Sequence, residues 1–155
     1  MKIKLRPVLW LLVLAVAIGS IASNSTRQTE IGTSCTRAAV VYVSGAEFCV
    51  ANFTGSGWEL LEAAKLTPEG TAEYPNSFVC RIGGQPGLPA EDCVGTPGVN
   101  GNSWHYYIWD QNRWLSSPIG AASRRLGCAD ADAWVFGSLE THERPNFSAR
   151  AIGCN

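Results

Sequence analysis

The sequence predicts an α+β domain, with one short helix packed on a mainly antiparallel sheet and disulfides stapling the whole. Three observations lead there. Short segments rich in β-branched and aromatic residues recur between turn residues along the chain. A single stretch carries a complete helix-start signal. Six cysteines, an even number, lie behind a basic-then-apolar N-terminus.

Residues 1–23 read as an export signal. Lys2, Lys4 and Arg6 form a positive start, Val8 to Ile18 an apolar stretch, and Ser20-Ile21-Ala22 a small-residue cleavage site. The apolar run from Pro7 to Ala22 is shorter than the roughly 20 residues that span a bilayer. An uncleaved anchor, oriented by its positive flank, is the competing reading. Either way the cysteines reach an oxidising compartment, secreted or at the cell surface, where thiols pair. Contact with a membrane is expected only through this segment, if it is retained.

Behind the leader, about 130 residues support one domain with a modest core. The whole chain has 12 Lys+Arg against 13 Asp+Glu. The leader holds three of the cations, so the remainder is net acidic, with Lys65 its only lysine. No basic stripe exists for phosphates, which argues against nucleic acid as a partner. Asn24-Ser25-Thr26, Asn52-Phe53-Thr54 and Asn146-Phe147-Ser148 fit the N-glycosylation pattern, relevant only in a eukaryotic source.

The elements follow in order. Residues 24–37 are polar and read as a linker, and the domain occupies 38–155. Ala38 to Val43 is a strand by composition; Ser44-Gly45 turns it, and Glu47 to Ala51 returns, so a hairpin is expected. Ser56-Gly57-Trp58-Glu59 has capping-box spacing, and Leu60, Leu61, Ala63, Ala64 and Leu66 continue a short helix that Thr67-Pro68 stops. After a polar connection, Phe78 to Ile82 is a strand ending at Gly83-Gly84. Gly87 to Ser103 is a Pro/Gly-rich loop containing Cys93. Trp104 to Trp109 is the strongest strand; Asp110-Gln111-Asn112 turns it into Arg113 to Ser116. Ala133 to Gly137 is the last strand, and the tail beyond it has little periodicity until Cys154.

Catalytic chemistry finds little support. No serine sits in a G-x-S-x-G elbow. His105 reads as a surface or interfacial imidazole. Asp130 and Asp132 share a strand face, but a carboxylate pair for glycoside hydrolysis faces across a cleft; here a turn-forming or solvent-facing role is expected. With no C-x-x-C and two unpaired histidines, no metal site is indicated, and no cofactor is implied. A small hydrolase is the least expected function.

The aromatic residues carry the site expectation. Trp104, Tyr106 and Ile108 alternate with His105, Tyr107 and Trp109. If a helix covers one sheet face, only one of these sets fills that core. The other, with Trp114 across the hairpin, forms an exposed strip unless the long loop or the C-terminal tail covers it. Trp104, Tyr107, Trp109 and Trp114 are the candidate ligand contacts.

Beyond these local readings, the ordered motifs Trp58-Glu59-Leu60-Leu61, Phe78-Val79-Cys80-Arg81-Ile82-Gly83-Gly84, Trp104-His105-Tyr106-Tyr107, Asn112-Arg113-Trp114, Pro118-Ile119-Gly120-Ala121 and Asp130-Ala131-Asp132-Ala133-Trp134-Val135-Phe136 resemble a family. That family is the small C-terminal domain of vertebrate cobalamin carriers such as transcobalamin, also found in exported bacterial proteins. The resemblance covers roughly two-thirds of the exported part. It implies a β-grasp-like fold and, in its narrowest form, capture of a corrinoid. The carriers' large helical domain, which holds much of their corrinoid contact, has no counterpart here.

Six thiols, Cys35, Cys49, Cys80, Cys93, Cys128 and Cys154, allow 15 connectivities. The cysteine placement of the similar bacterial proteins favours Cys80–Cys93 and Cys49–Cys154, with Cys35–Cys128 as an additional pair. The expected function is an exported, non-catalytic module that binds a small molecule or a surface protein, the recognition face extending over the Cys80–Cys93 loop. A structural or adhesive surface role is the alternative.

Overall fold

A computed structural model describes residues 35–98 and 100–154. The expectations for the leader at 1–23 and for linker residues 24–34 lie outside them. The described chain runs β1 (Ala38–Val43), β2 (Ala46–Ala51), β3 (Gly55–Ser56), α1 (Gly57–Ala63), β4 (Pro68–Gly70), β5 (Val79–Ile82), β6 (Ser103–Asp110), β7 (Arg113–Ser116), β8 (Arg125–Leu126) and β9 (Ala131–Gly137). The fold is mixed α+β: one short helix on a mainly antiparallel sheet, braced by three disulfides.

Hairpins at both edges build the main sheet. Ser44 and Gly45 join β1 to β2 with φ of 49° and 84°, and Gln111 and Asn112 join β6 to β7 with φ of 48° and 62°. Two successive positive φ values are what a two-residue type I′ loop needs, and its twist matches the flanking strands. The sheet order is β2-β1-β9-β6-β7. The last strand is therefore central, parallel to β1 and antiparallel to β6. It begins at Ala131, two residues earlier than expected, which draws Asp132 into the sheet. Phe78 to Ile82 supplies β5 but does not join this sheet; it pairs with β4, inside the segment expected to be a plain connection.

The helix starts as its sequence signal requires. Glu59 N–H donates to Ser56 Oγ at 3.2 Å, and Ser56 N–H donates to Glu59 Oε2 at 2.6 Å. Ser56→Ala should lower unfolding free energy by about 1 kcal/mol; an unchanged urea midpoint would contradict that role. The helix ends before Thr67-Pro68. Lys65 takes φ of 63°, its N–H reaches Glu62 O at 2.9 Å, and Leu66 N–H reaches Leu61 O at 2.9 Å. This is a Schellman closure, formed without glycine at the left-handed position.

Strand alternation divides the interior into two layers. Ala39 and Val41 of β1, Trp104 of β6 and Trp134 of β9 pack with Trp58, Leu60 and Leu61 of the helix. The alternate residues, Val40, Tyr42, Tyr107, Ala131 and Ala133, pack with Trp114 on the far face, against Phe147, Ala149 and Ile152 of the C-terminal segment. That segment is a strap over the sheet. Trp114 Nε1 donates to Phe147 O at 2.7 Å, Arg150 N–H donates to Tyr42 Oη at 2.8 Å, and Arg37 N–H donates to Gly153 O at 3.0 Å.

The bridges are Cys35–Cys49, Cys80–Cys93 and Cys128–Cys154, each with Cα atoms 5.7–5.8 Å apart. The expected Cys80–Cys93 pair is present; Cys49–Cys154 and Cys35–Cys128 are replaced. Backbone pairing explains the exchange. Asn52 N–H donates to Arg37 O, holding the chain that enters β1 beside the end of β2 and bringing Cys35 to Cys49. Ala129 N–H donates to Ala38 O while Gly153 O accepts from Arg37, so Cys128 and Cys154 meet over the same two residues. Three intramolecular disulfides mark an oxidising, extracytoplasmic compartment. No helix among the described residues is long and apolar enough to cross a membrane.

Candidate functional site

The expected open strip of Tyr107, Trp109 and Trp114 is not what the structure shows. Tyr107 is 2% exposed and Trp114 8%, and only Trp109 is half-buried. The strap takes the space a ligand would need: Phe147 packs on Tyr42 and Trp114 with ring centroids at 4.8 and 5.6 Å. The tail rather than the long loop covers this face: its apolar residues sit at Phe147, Ala149 and Ile152, and polar contacts from its backbone and from the His142 and Arg150 side chains pin it.

Trp104, the fourth candidate, belongs to the opposite face and to a groove of about 560 Å³. Trp104, Tyr106 and Trp134 line it from β6 and β9; Phe78 leads into β5 on one side, and Ile119 stands on the β7–β8 connection on another. Tyr106 and Trp134 stack with centroids 4.5 Å apart. The size suits a small molecule.

A buried polar triad anchors these rings. Tyr106 Oη donates to Asp132 Oδ2 at 2.5 Å, and Arg124 Nε donates to Asp132 Oδ1 at 2.9 Å. Arg124 also approaches Asp130 Oδ1 at 3.6 Å. Asp132 is fully buried, which corrects the expectation of a solvent-facing or turn-forming residue. The parity of β9 is the reason: Asp132 shares a face with Trp134 and Phe136, which is the helix side of the sheet. Burial pushes the Asp132 carboxyl up to about 6, with the Tyr106 hydroxyl and Arg124 charge opposing. Burial, reinforced by that carboxylate, drives the Tyr106 phenol far up. Gly57 closes the triad from the helix: a β-carbon there would lie 2.6 Å from Tyr106 Oη and 2.9 Å from Asp132 Oδ2. Sequence reasoning found no sign of Arg124, and it placed Gly57 only inside the capping box, not against the triad. The clue available was the spacing Asp132, Trp134, Phe136, which places the carboxylate among core aromatics.

His105 lies at the groove margin and stacks on His142 of the strap, with centroids 3.7 Å apart and planes 7° from parallel. Its Nε2 donates to Gly137 O at 2.9 Å. A carbonyl only accepts, so His142 Nδ1 donates to Ser138 O at 2.7 Å, and in the neutral ring Nε2 then accepts from Tyr107 Oη at 2.6 Å. Burial holds His105 below its ordinary imidazole value, the Gly137 carbonyl opposes this, and His142 adds to it. Both imidazoles therefore bond carbonyls or a phenol, not a serine nucleophile.

Cys80, Glu91 and Cys93 gather within 4.8 Å, the one such group among the described residues. Its sulfurs are consumed by the disulfide, and Glu91 Oε1 accepts from Cys93 N–H at 2.9 Å, so it offers no free thiolate to an ion. Comparison with known proteins finds no family model, no curated protein and no solved structure that matches this chain.

Proposed function

We propose that this chain is an exported, non-catalytic module that binds a small ligand in the groove at Trp104, Tyr106 and Trp134. The observation that carries this reading is a ligand-sized concavity lined by ordered aromatic rings and braced from behind by a buried ion pair. A site supported this way is pre-organised, which lowers the ordering cost of binding. Export through residues 1–23 to the cell surface or beyond is part of the proposal, and the disulfides accord with it. A β-grasp scaffold is supported by the succession of hairpin, helix, hairpin and a last central strand parallel to the first. Corrinoid capture is the narrower form of the same reading, resting on the resemblance to the cobalamin-carrier domain.

The test is heteronuclear NMR of the five indole N–H groups of the exported part, titrated with a library of neutral and charged ligand-sized fragments and, separately, with cyanocobalamin. Fragment binding should move the Trp104 and Trp134 resonances and leave Trp109 in place. Groove indoles unmoved by every fragment would overturn the assignment. Cyanocobalamin leaving them unmoved would retire the corrinoid form alone.

A further inference from the structure

Within that binding reading, on which this step rests, the groove's chemistry selects a class of ligand. Its lining contains no lysine, arginine, aspartate or glutamate; His105 is its single imidazole, and that ring's Nε2 is already engaged by Gly137 O. The polar tips of two floor rings are spent inside the fold, Trp104 Nε1 on Gln85 O at 3.2 Å and Tyr106 Oη on Asp132. What these two rings offer a ligand is hydrocarbon. Trp134 differs: it is 3% exposed, lines the groove, and its Nε1 is the one buried side-chain nitrogen or oxygen among the described residues with no hydrogen-bond partner.

A charged ligand entering this groove would shed its hydration and meet no counter-charge, a loss far greater than that of a neutral one. Trp134 Nε1 is itself buried, so a carbonyl or ether oxygen reaches it only where the neighbouring lining gives way, and there it would satisfy a donor that has no other partner among the described residues. We infer that the groove binds uncharged, ring-bearing, mainly apolar small molecules carrying a carbonyl-type acceptor that pairs with the Trp134 indole. Selectivity follows from two features acting together. The charge-free lining rejects ions, and the Trp134 donor prefers an acceptor-bearing ring system to a plain hydrocarbon.

The experiment uses the disulfide-intact exported chain and two fluorescent probes of similar aromatic character. Nile red is neutral, fused-ring and carbonyl-bearing; 1-anilinonaphthalene-8-sulfonate is anionic. Nile red should bind at least about 10-fold more tightly and should shift the Trp134 indole proton downfield. Trp134→Phe keeps an aromatic ring but removes the donor, and should weaken Nile red by about 3- to 10-fold. Ile119 is 49% exposed, so Ile119→Arg places a cation at the rim with little effect on the core; it should raise affinity for the sulfonate and lower it for Nile red. Equal binding of both probes to the unaltered chain, or a Trp134→Phe variant with full Nile red affinity, would overturn the ligand class while leaving a binding groove in place. If neither probe binds and no library fragment moves the groove indoles, the binding reading falls together with the class.

Discussion

Replacing Cys128 and Cys154 together by serine is expected to cost about 3–4 kcal/mol of unfolding free energy and to uncover the aromatic layer opposite the helix. The bridge joins residues 26 apart in sequence, and the chain-entropy relation assigns a loop of that size a stabilisation of about 3.5 kcal/mol. More follows from what the loop contains. The strap lies wholly within it, and its remaining anchors are the packing of Phe147 on Tyr42 and Trp114, the Arg150–Glu47 ion pair, and hydrogen bonds such as Trp114 Nε1 to Phe147 O and Arg150 N–H to Tyr42 Oη. Freed of the covalent tie, each hydrogen bond holds only about 1 kcal/mol against the entropy of a mobile tail. Trp114, 8% exposed in the intact chain, should then give red-shifted emission. The Cys35→Ser/Cys49→Ser variant separates the two effects. Its loop of 14 residues predicts a loss of about 3 kcal/mol, yet the strap keeps its tie and Trp114 should keep its emission. Urea unfolding read by tryptophan fluorescence decides it. If the Cys128 and Cys154 variant retains the emission maximum of the parent, the strap is not held by its bridge.

The strap also shows where the sequence is legible and where it is not. β1, β6, β7 and the capping box were readable because each rests on a local pattern: β-branched runs, a two-residue turn, and a serine three residues before a glutamate. The strap has no such period. It works through a carbonyl at Phe147, an amide at Arg150 and a cysteine near the end, and none of these announces its partner. The alternation of Trp104 and Tyr106 with Tyr107 and Trp109 correctly separated two faces but could not say what lies over each. Cysteine connectivity fails for the same reason, since the pairs are set by which backbone segments cross at Arg37 and Ala38. The groove draws on segments far apart in the chain, at Phe78, Trp104, Ile119 and Trp134, so only Trp104 stood out beforehand.

Asp132→Ala should be among the most damaging single substitutions in the chain, at about 3–5 kcal/mol. The alanine leaves the Tyr106 hydroxyl beside a cavity without its acceptor, and the Arg124 guanidinium, whose side chain is 16% exposed, with only its 3.6 Å approach to Asp130. Asp132→Asn keeps an acceptor for Tyr106 and should cost less, and its value lies in pH dependence. In the folded chain the Asp132 carboxyl titrates near 6 against an ordinary 3.8, so between those values the native state binds the proton more firmly than the unfolded state does. Its contribution to stability is therefore greatest at acid pH and falls as pH rises through about 4 to 6. His105 has the opposite sign. Held below its ordinary 6.5, it favours the folded chain fully above that value and loses stability as pH falls below it. In the parent the two trends offset each other over the overlapping range. Asp132→Asn removes the first and leaves the second, so stability should fall more steeply on acidification than in the parent. Urea midpoints measured from about pH 4 to 7 make the comparison. A parallel pH profile in parent and variant would show that Asp132 titrates as an ordinary carboxyl, and an Asp132→Ala loss under about 1 kcal/mol, well short of a broken buried pair, would show that its pairing with Arg124 and Tyr106 does not hold the groove floor.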